Sequence, residues 1–398
     1  MTQAMSSPVT LPLGRQNPFD PPAALRRWRE EGPIRPMLYA DGHVGWLVTG
    51  YSTARAVLAD PRFTTDTKLL HPPIGQRATQ RILEDVPGFF LQKDPPEHTR
   101  FRGRLAGHFT VRRVQALEPR IAEITGEHLD AMEVSGPPAD LVREFALPIP
   151  SLVICEVLGV PYSGHERFQR RSAALLDLSS TPDQVREALD DLMDFTRELV
   201  ALKRAEPGDD LISALAADRG LTTDEVTGVA VLLLVAGHET TANMLALGTF
   251  TLLRNPAQLA ALRADPSLIG SAVEELLRYL TIVHLGPVRA AREDVEIDGH
   301  AIRAGDSVTL SLPAANRDPA RFENPESLDI TRQAAGHLSF GHGVHQCLGQ
   351  QLARMEMRVA YPALLRRFPD LRLDLPADQV PTRTSRAIYG VHTLPVAW

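Results

Sequence analysis

The residues with the clearest potential for chemistry lie in a short glycine-rich segment near the C-terminus. Residues 340–349 read Phe-Gly-His-Gly-Val-His-Gln-Cys-Leu-Gly, and glycines at three of these ten positions let the chain lie close against a flat ligand. Cys347 stands directly before a helical pattern, where free backbone N–H groups and the positive end of the helix dipole lower the pKa of a thiol. A thiolate is the form of cysteine that binds iron. The segment therefore predicts a loop that offers a thiolate to a metal centre.

Two simpler interpretations of the cysteines compete with this one. A zinc site built from His342, His345 and Cys347 would lack a fourth ligand at any familiar spacing. A lone cysteine is more often a small buried hydrophobic residue than a ligand, and the apolar residues before Cys155 favour that interpretation for it. Cys347 is therefore the candidate ligand.

A second polar group interrupts an apolar helical stretch in the middle of the chain. Residues 236–241 read Ala-Gly-His-Glu-Thr-Thr, and small residues at 236 and 237 leave a gap beside the helix for a diatomic ligand. The Thr240 hydroxyl can bond back to the carbonyl of Ala236 or turn towards such a ligand. Glu239 offers a carboxylate that relays protons. The zinc-protease motif His-Glu-x-x-His fails because position 242 holds Ala242, and a polar step in a core helix is the remaining alternative.

Two further pairs of charged residues have helical spacing. His98 and Arg102 lie four residues apart, so a helix places both on one face, either as a solvated basic surface or as a cluster of charged donors. Glu275 and Arg278 lie three apart and can form an ion pair, which in isolation is usually an exposed one. Neither pair identifies a site by itself.

Together these segments resemble the cytochrome P450 superfamily, over about residues 17–398. The glycine-rich segment matches the haem-binding pattern Phe-x-x-Gly-x-His-x-Cys-x-Gly at Phe340, Gly343, His345, Cys347 and Gly349. The resemblance implies haem b as the cofactor, with Cys347 as its axial thiolate ligand, and thiolate donation favours cleavage of the O–O bond. It is closest to the soluble bacterial type, particularly actinobacterial enzymes that hydroxylate natural products and xenobiotics.

The resemblance also implies roles for the other candidates. Glu239 and Thr240 are the acid and alcohol of oxygen activation, and Glu275 with Arg278 is a buried structural pair behind the haem. The residues implied to anchor the haem propionates are His98, Arg102, Arg289 and His345. The residues implied to line the substrate pocket are Phe89, Val235, Ala236, Leu285, Val288 and Ile388.

The implied activity is that of a monooxygenase, which inserts one atom of O2 into an apolar small molecule such as a polyketide or macrolide, a statin-like compound, a terpenoid or a xenobiotic. No flavin or nicotinamide fingerprint occurs, since the Gly-x-Gly at 341–343 lacks a third glycine and a preceding strand. Electrons from NAD(P)H are therefore expected through a ferredoxin, or a flavodoxin, and its reductase. A peroxide-driven peroxygenase and a non-catalytic haem sensor are the alternatives.

A local basic surface is a candidate docking site for an acidic ferredoxin. It would be formed by arginines outside the helix face that His98 and Arg102 share and by other arginines near the candidate ligand. The alternative is that these are ordinary solvated arginines. The arginines of this predicted surface are Arg100, Arg104, Arg112, Arg113 and Arg354.

The composition is that of a globular protein that carries such a site inside a large core. The chain has 398 residues, of which 43% are hydrophobic, and its net charge of −7 argues against nucleic acid as a partner. Two cysteines provide no disulfide framework, which favours an intracellular setting. The longest apolar run, residues 229–236, is far shorter than the roughly 20 residues that cross a bilayer. A cytoplasmic monomer without a membrane anchor is expected.

Helical periodicity dominates the chain, so the predicted class is mainly α, and by resemblance a triangular helical prism with small peripheral β-sheets. A flexible tail is expected over residues 1–17, followed by a single haem-binding domain over 18–398. The predicted strands are 44–49, 295–297 and 308–311. The predicted helices are 22–31, 51–59, 97–107, 114–132, 145–158, 182–205, 211–218, 223–254, 256–264, 270–281 and 348–368.

Overall fold

The computed structural model describes residues 7–75, 81–161 and 165–398, and it is mainly helical as predicted. The helices are α1 (Ala23–Glu31), α2 (Tyr51–Ala59), α3 (Glu97–Ala106), α4 (Val111–Ala116), α5 (Glu118–Ser135), α6 (Pro148–Leu158), α7 (His165–Leu175), α8 (Pro182–Ala205), α9 (Leu211–Ala217), α10 (Thr223–Arg254), α11 (Pro256–Ala264), α12 (Ile269–Leu280), α13 (Leu312–Ala315) and α14 (Gln350–Arg367).

Helix α10 is the central element, because α6, α8 and α14 all pack against it. Its start is fixed by a capping box in which the Thr222 hydroxyl accepts from the Glu225 N–H at 3.2 Å and the Glu225 carboxylate accepts from the Thr222 N–H at 2.8 Å. Its end precedes Pro256, which cannot continue the i→i−4 ladder. Both signals are local, and the predicted bounds of this helix are confirmed.

Helix α10 is apolar on all sides because protein surrounds it. Of the described residues, it is the one helix long and apolar enough to cross a membrane, and 83% of its most apolar stretch is buried inside the protein. Its side chains belong to the main apolar cluster, which also takes in α5, α6, α8, α12 and α14. It is therefore the core helix of the fold.

The strands form three small sheets beside the helices. They are β1 (Ile34–Leu38), β2 (Val44–Val48), β3 (Phe63–Thr64), β4 (Ala139–Asp140), β5 (Val288–Ala291), β6 (Val295–Ile297), β7 (His300–Ile302), β8 (Ser307–Leu310), β9 (Arg372–Leu373) and β10 (Pro395–Ala397). Five of them form a sheet in the order β1-β2-β8-β5-β3, in which only β2 and β8 are parallel. The others pair as β4-β10-β9 and as the hairpin β6-β7. The three predicted strands correspond to β2, β6 and β8.

The N-terminal segment differs from the expected flexible tail. The Val9 N–H donates to the Pro36 carbonyl at 3.2 Å, and the Val9 carbonyl accepts from the Leu38 N–H at 2.8 Å. Leu11 is buried in the apolar cluster on this side of the sheet. Val9 therefore lies beside the edge strand β1 and Leu11 packs beneath the sheet, whereas the division into a tail and a single domain stays a prediction. Residues 1–6 lie outside the described residues.

Two other helical predictions differ from the structure. The helix predicted at 114–132 is two helices, α4 and α5, whose junction is followed by Pro119, which has no N–H to donate. Helix α7 was not predicted, because its side chains are mostly polar and its ion pairs are formed with another helix, α8. Arg167 and Arg171 of α7 both bind the carboxylate of Asp191 on α8, at 2.7 and 2.9 Å.

Candidate active site

The glycine-rich loop packs against the C-terminal end of α2. Gly343 has φ of 74°, and a Cβ at this position would lie 2.5 Å from the Leu58 carbonyl oxygen. Only glycine therefore lets the loop approach α2 this closely. The Cys347 N–H donates to the Phe340 carbonyl at 2.8 Å, which closes the loop before α14 begins. The Phe340 ring lies under the guanidinium of Arg354, 4.5 Å from its centre.

Cys347 lines an internal cavity, since its side chain is accessible although protein surrounds it. Burial raises the pKa of the thiol, while the N–H groups of Gly349 and Gln350 and the charges of Arg102 and Arg354 act in the opposite direction. The prediction of a lowered pKa is therefore wrong for the thiol of the protein alone, because loss of hydration outweighs the helix terminus. The N–H groups and arginines that the prediction relied on are present.

A cluster of cationic and imidazole side chains adjoins the cysteine loop. The rings of His98 and His345 lie 4.2 Å apart, and both His98 and Arg289 are buried. His98 Nδ1 and both ring nitrogens of His345 are buried and have no hydrogen-bond partner in the described part of the chain. Burial, followed by the charges of Arg289 and His98, lowers the pKa of His345 to about 3. Burial also lowers the pKa of Arg289 to about 10.

This cluster has the chemistry of an anion site. Burial of Arg102 lowers its pKa as well, and the nearby carboxylate of Asp94 is already bound by Thr64, Thr65 and Arg292. Buried donors without an acid are costly unless an anion satisfies them. The residues present therefore fit the two carboxylates of a haem, and all four predicted propionate partners lie together.

The accessible face of α10 carries two of the predicted residues. Ala236 is exposed and Thr240 is partly exposed, although both lie within a helix that is otherwise buried. The Thr240 hydroxyl donates to the Ala236 carbonyl at 3.0 Å. Gly237 serves a different purpose from the one predicted, because a Cβ there would lie 2.8 Å from Ile154 of α6. Its small size lets the two helices pack, whereas Ala236 borders the open space.

Glu239 is held by a residue that the sequence reasoning missed. The Arg383 Nη1 donates to Glu239 Oε2 at 2.9 Å and to Asn243 Oδ1 at 3.1 Å. The Asn243 Nδ2 donates to the same carboxylate oxygen at 3.2 Å. The Glu239 and Arg383 side chains are 6% and 14% exposed, so the ion pair is largely buried. The sequence offers only the general expectation that a buried carboxylate has a cation beside it.

Glu275 and Arg278 form the predicted pair, with two bonds of 2.8 Å between two side chains that are fully buried. The remaining donor of Arg278, Nη1, binds the carbonyls of Asn316 and Pro325 at 2.9 Å each. The Asn316 side chain in turn accepts from the Leu338 N–H at 2.7 Å. The pair thereby fixes the chain that leads into the cysteine loop.

The predicted substrate-pocket residues divide between two apolar clusters. Phe89, Val235 and Ile388 are buried in the main cluster. Leu285 and Val288 instead pack, partly buried, against the cluster beneath β1 and β2. Their role in substrate binding stays a prediction.

The predicted basic surface is smaller than expected. Arg100 pairs with Glu225, and the Arg104 Nε donates to Asp218 at 2.7 Å. Arg354 is bound by Glu274 at 2.6 Å and covers the Phe340 ring. Each of these three guanidiniums is therefore paired with a carboxylate of this chain. Exposed Arg112 and Arg113 of α4 form no ion pair within the part of the chain that the structure describes.

Comparisons with known proteins agree with this geometry. The family model of cytochrome P450 matches residues 163–396. Cytochrome P450 105C1 of a Streptomyces species is 53% identical over 399 residues, which cover 100% of both chains. Pentalenic acid synthase of Streptomyces avermitilis is 47% identical over 403 residues, covering 99% of this chain and 98% of its own. The crystal structure of CYP105P1 in complex with filipin I has a TM-score of 0.92 at 44% identity, over 98% of this chain and 99% of that one.

The predicted fold is confirmed by the structural match, which extends over nearly the whole chain. The family match and the full-length relatives likewise confirm the predicted monooxygenase activity, and they imply that the protein uses haem iron. With Cys347, the anion cluster and the open face of α10 arranged as described, the chain belongs to the cytochrome P450 family and is a monooxygenase.

Proposed function

We propose that this protein hydroxylates or epoxidises an apolar natural product or xenobiotic, using O2 and electrons delivered from NAD(P)H through a ferredoxin. The observation that carries the proposal is the accessible Ala236–Thr240 face within the buried α10, in a chain whose Cys347 lines an internal cavity. Haem b, bound through Cys347, would supply transfer of one oxygen atom to the substrate while two electrons and two protons reduce the other to water.

The chain's own part in this chemistry is to hold the cofactor and to move protons. His98, Arg102, Arg289 and His345 would bind the propionates, and their unpartnered nitrogens support this role. The Thr240 hydroxyl, which now donates to the Ala236 carbonyl, can rotate about its Cα–Cβ bond and donate into the cavity. Glu239 would relay a proton from solvent to that hydroxyl once its Oε2 releases Arg383 or Asn243.

The substrate is expected to be an apolar molecule of the size of a terpenoid or a macrolide. One relative is named pentalenic acid synthase, and one similar crystal structure contains filipin I. Phe89, Val235 and Ile388 supply the apolar lining that such a molecule needs, with few polar groups to orient it.

The electron donor is expected to be an acidic ferredoxin that docks on α4. Arg112 and Arg113 are exposed there, whereas Arg100, Arg104 and Arg354 are paired with acids of this chain. Charge complementarity of this kind speeds encounter more than it raises affinity. A cytoplasmic monomer suits a protein that meets a diffusing redox partner.

The carbon monoxide difference spectrum of the reduced protein tests thiolate ligation directly. We expect the red-shifted thiolate band in the native protein and its loss in Cys347→Ala. Cys155→Ala is the matched control, because Cys155 is buried and burial raises the pKa of its thiol to about 12. A histidine-type band in the native protein would refute the assignment of Cys347.

Reconstitution with a ferredoxin, its reductase and NAD(P)H tests the reaction class. Candidate substrates are first screened by the change from low-spin to high-spin iron, and products are then identified by mass spectrometry after turnover under 18O2. One labelled oxygen in the product is expected. Turnover with hydrogen peroxide alone would instead identify a peroxygenase, and binding of oxygen without substrate-dependent use of NAD(P)H a sensor.

A further inference from the structure

A cavity of about 560 Å³ lies outside the site described above. One wall is the N-terminal segment 15–19, the second is the C-terminal end of α10, and the third is the chain from residue 377 to residue 389. The wall carries two cations, Arg15 and Arg254, and one acid, Asp378. Its other side chains include the rings of Phe19 and Tyr279. The lining is thus largely polar, with one positive charge in excess and some apolar and aromatic side chains, and the volume suits a small organic ligand.

A hairpin separates this cavity from the active site. Residues 382 and 391 form an antiparallel bridge, and the Arg383 N–H donates to the Gly390 carbonyl at 2.9 Å. Successive residues of an extended strand point to opposite faces. Arg383 reaches Glu239 on one face, whereas Thr382 and Tyr389 line the cavity on the other. The two spaces therefore lie on opposite sides of the same hairpin.

Arg15 has no carboxylate hydrogen-bond partner among the residues that the structure describes. Its guanidinium lies 3.6 Å above the Tyr389 ring, and its Nη1 donates to the Asp20 carbonyl at 3.3 Å. The side-chain carboxylate of Asp20 is bound instead by Asn17, at 2.9 Å, and by Arg317, at 3.4 Å. The Nε and Nη2 of Arg15 are buried, and no described residue forms a hydrogen bond with them. Burial lowers the pKa of Arg15 to about 10, so the side chain is still a cation at neutral pH.

The unpartnered nitrogens of Arg15 form the edge that binds carboxylates elsewhere in this protein. Arg278 uses its Nε and Nη2 for the two 2.8 Å bonds to the carboxylate of Glu275. Two parallel N–H···O bonds from one guanidinium edge match a carboxylate in shape and charge. Arg289 resembles Arg15, because burial lowers the pKa of each to about 10 and neither is hydrogen-bonded to an acid within residues 7–75, 81–161 and 165–398. Arg289 lies in the cluster that fits the haem propionates.

We propose that the cavity behind the hairpin is a binding site for a small organic acid, whose carboxylate binds Nε and Nη2 of Arg15 after a shift of this side chain opens that edge to the cavity. The apolar or aromatic part of the acid packs against Phe19 and Tyr279. Arg254 adds a second positive charge at the cavity wall. This site does not depend on the reaction proposed for the haem side of the hairpin.

Isothermal titration calorimetry of the holoprotein with benzoate tests the proposal. Imidazole is kept at saturation to block the haem iron, so that heat from the active site is suppressed. We expect one benzoate per chain and at least tenfold weaker binding of benzyl alcohol, which has the ring but not the charge. Arg15→Gln should weaken benzoate at least tenfold, the usual effect of losing a charge-assisted pair. Arg26→Gln is the matched control, because Arg26 is exposed and is not among the residues that line the cavity.

A second variant keeps the test independent of the folding of Arg15→Gln. Ala377→Trp fills the cavity from its third wall and leaves Arg15 in place, so benzoate binding should fall at least tenfold in it too. The native thiolate band with carbon monoxide verifies that each variant has folded. Absence of benzoate binding to the native protein overturns the proposal, as does an affinity that stays within twofold in Arg15→Gln or in Ala377→Trp.

Discussion

The guanidinium of Arg383 bridges Glu239 and Asn243, two residues one helical turn apart on α10. Its Nη1 lies 2.9 Å from Glu239 Oε2 and 3.1 Å from Asn243 Oδ1. Arg383 stands in the C-terminal hairpin, 144 residues along the chain from Glu239. The carboxylate to which we assign proton transfer is therefore restrained from outside its own helix, and we expect Arg383 to act as a positioning residue for Glu239.

Replacement of Arg383 by Gln should slow turnover and shift its pH dependence. Without Arg383 the Glu239 carboxylate keeps only Asn243 as a side-chain donor, so its orientation is less restrained and the pH profile of kcat should differ from that of the native protein. We expect kcat to fall about tenfold while KM for the substrate stays within twofold. The variant should also lose on the order of 2 kcal/mol of unfolding free energy in urea, since a hydrogen bond to a charged group is lost.

Arg383→Lys and Arg372→Gln separate positioning from a general loss of charge. Arg383→Lys keeps the cation and should restore most of the native pH profile. Arg372 is exposed on β9, so Arg372→Gln should change neither the pH profile of kcat nor the unfolding free energy. A native pH profile in Arg383→Gln would remove this residue from proton transfer.

Local signals account for the parts of the fold that the sequence predicted well. The capping box of Thr222 and Glu225 and the proline after Asn255 fix both ends of α10 without help from distant residues. The Arg383–Glu239 pair and the packed position of Arg15 had no such signal. Both depend on chain segments that meet only after the hairpin and the N-terminal segment have packed, so spacing along the sequence does not reveal them.

The cysteine loop is an intermediate case. The pattern identified Cys347 and its four cationic or imidazole neighbours through resemblance, and the structure brings them together. The direction of the Cys347 pKa was nevertheless wrong. A helix terminus is visible in a sequence, but the loss of hydration that opposes it depends on tertiary packing.

Replacement of Thr240 by Ala should uncouple electron use from product. The hydroxyl that bonds to the Ala236 carbonyl is then absent, and with it the group on α10 that we propose as the proton donor. We expect roughly tenfold less product for each NAD(P)H consumed, with hydrogen peroxide as the balancing product. Thr240→Ser keeps the hydroxyl and should retain most of the coupling. Equal coupling in native protein and Thr240→Ala would show that another donor supplies the proton.

Replacement of Gly390 by Ala should displace the group that orients Glu239. A Cβ at this position would lie 1.9 Å from Asn243 Oδ1, so Asn243 or the hairpin must move. We expect a loss of about 1–3 kcal/mol in unfolding free energy together with reduced coupling. Gly126→Ala is the control, because a Cβ there meets nothing within 4 Å and a helical alanine stabilises by about 1 kcal/mol. An unfolding free energy equal to that of the native protein in Gly390→Ala would mean that the hairpin moves aside without destabilising the fold.

Reversal of the charge at Arg113 should slow reduction by the ferredoxin. Arg113 is exposed on α4, and its removal weakens electrostatic steering of an acidic partner. Stopped-flow reduction of the ferric protein at low ionic strength should be about tenfold slower in Arg113→Glu, with a smaller dependence on salt. Arg372→Glu carries the same change of charge on β9 and should behave as the native protein. Unchanged rates and salt dependence in Arg113→Glu would place the docking surface elsewhere.

Glu274 ties α12 to His337 and to Arg354 of α14, on either side of the cysteine loop, and gives stability a dependence on pH. Burial acts to raise the pKa of this carboxyl, but hydrogen bonds from His337, at 3.2 Å, and Arg354, at 2.6 Å, outweigh it and hold the pKa at about 2. The usual value is 4.5. The folded state therefore favours the ionised form, and this contribution to stability is complete above about pH 5 and is lost as the pH falls towards 2.

Glu274→Gln should accordingly be less stable than the native protein at pH 7, and the difference should narrow in acid. Between pH 7 and pH 4 the native protein should lose on the order of 1 kcal/mol more unfolding free energy than the variant, because the unfolded carboxyl takes up a proton over this range. Urea unfolding at both pH values measures the difference. Asp294→Asn is the comparison, since Asp294 pairs with Arg303 at the surface and its side chain is 60% exposed. A gap between native protein and Glu274→Gln that stays constant with pH would show that Glu274 acts through packing rather than through its charge.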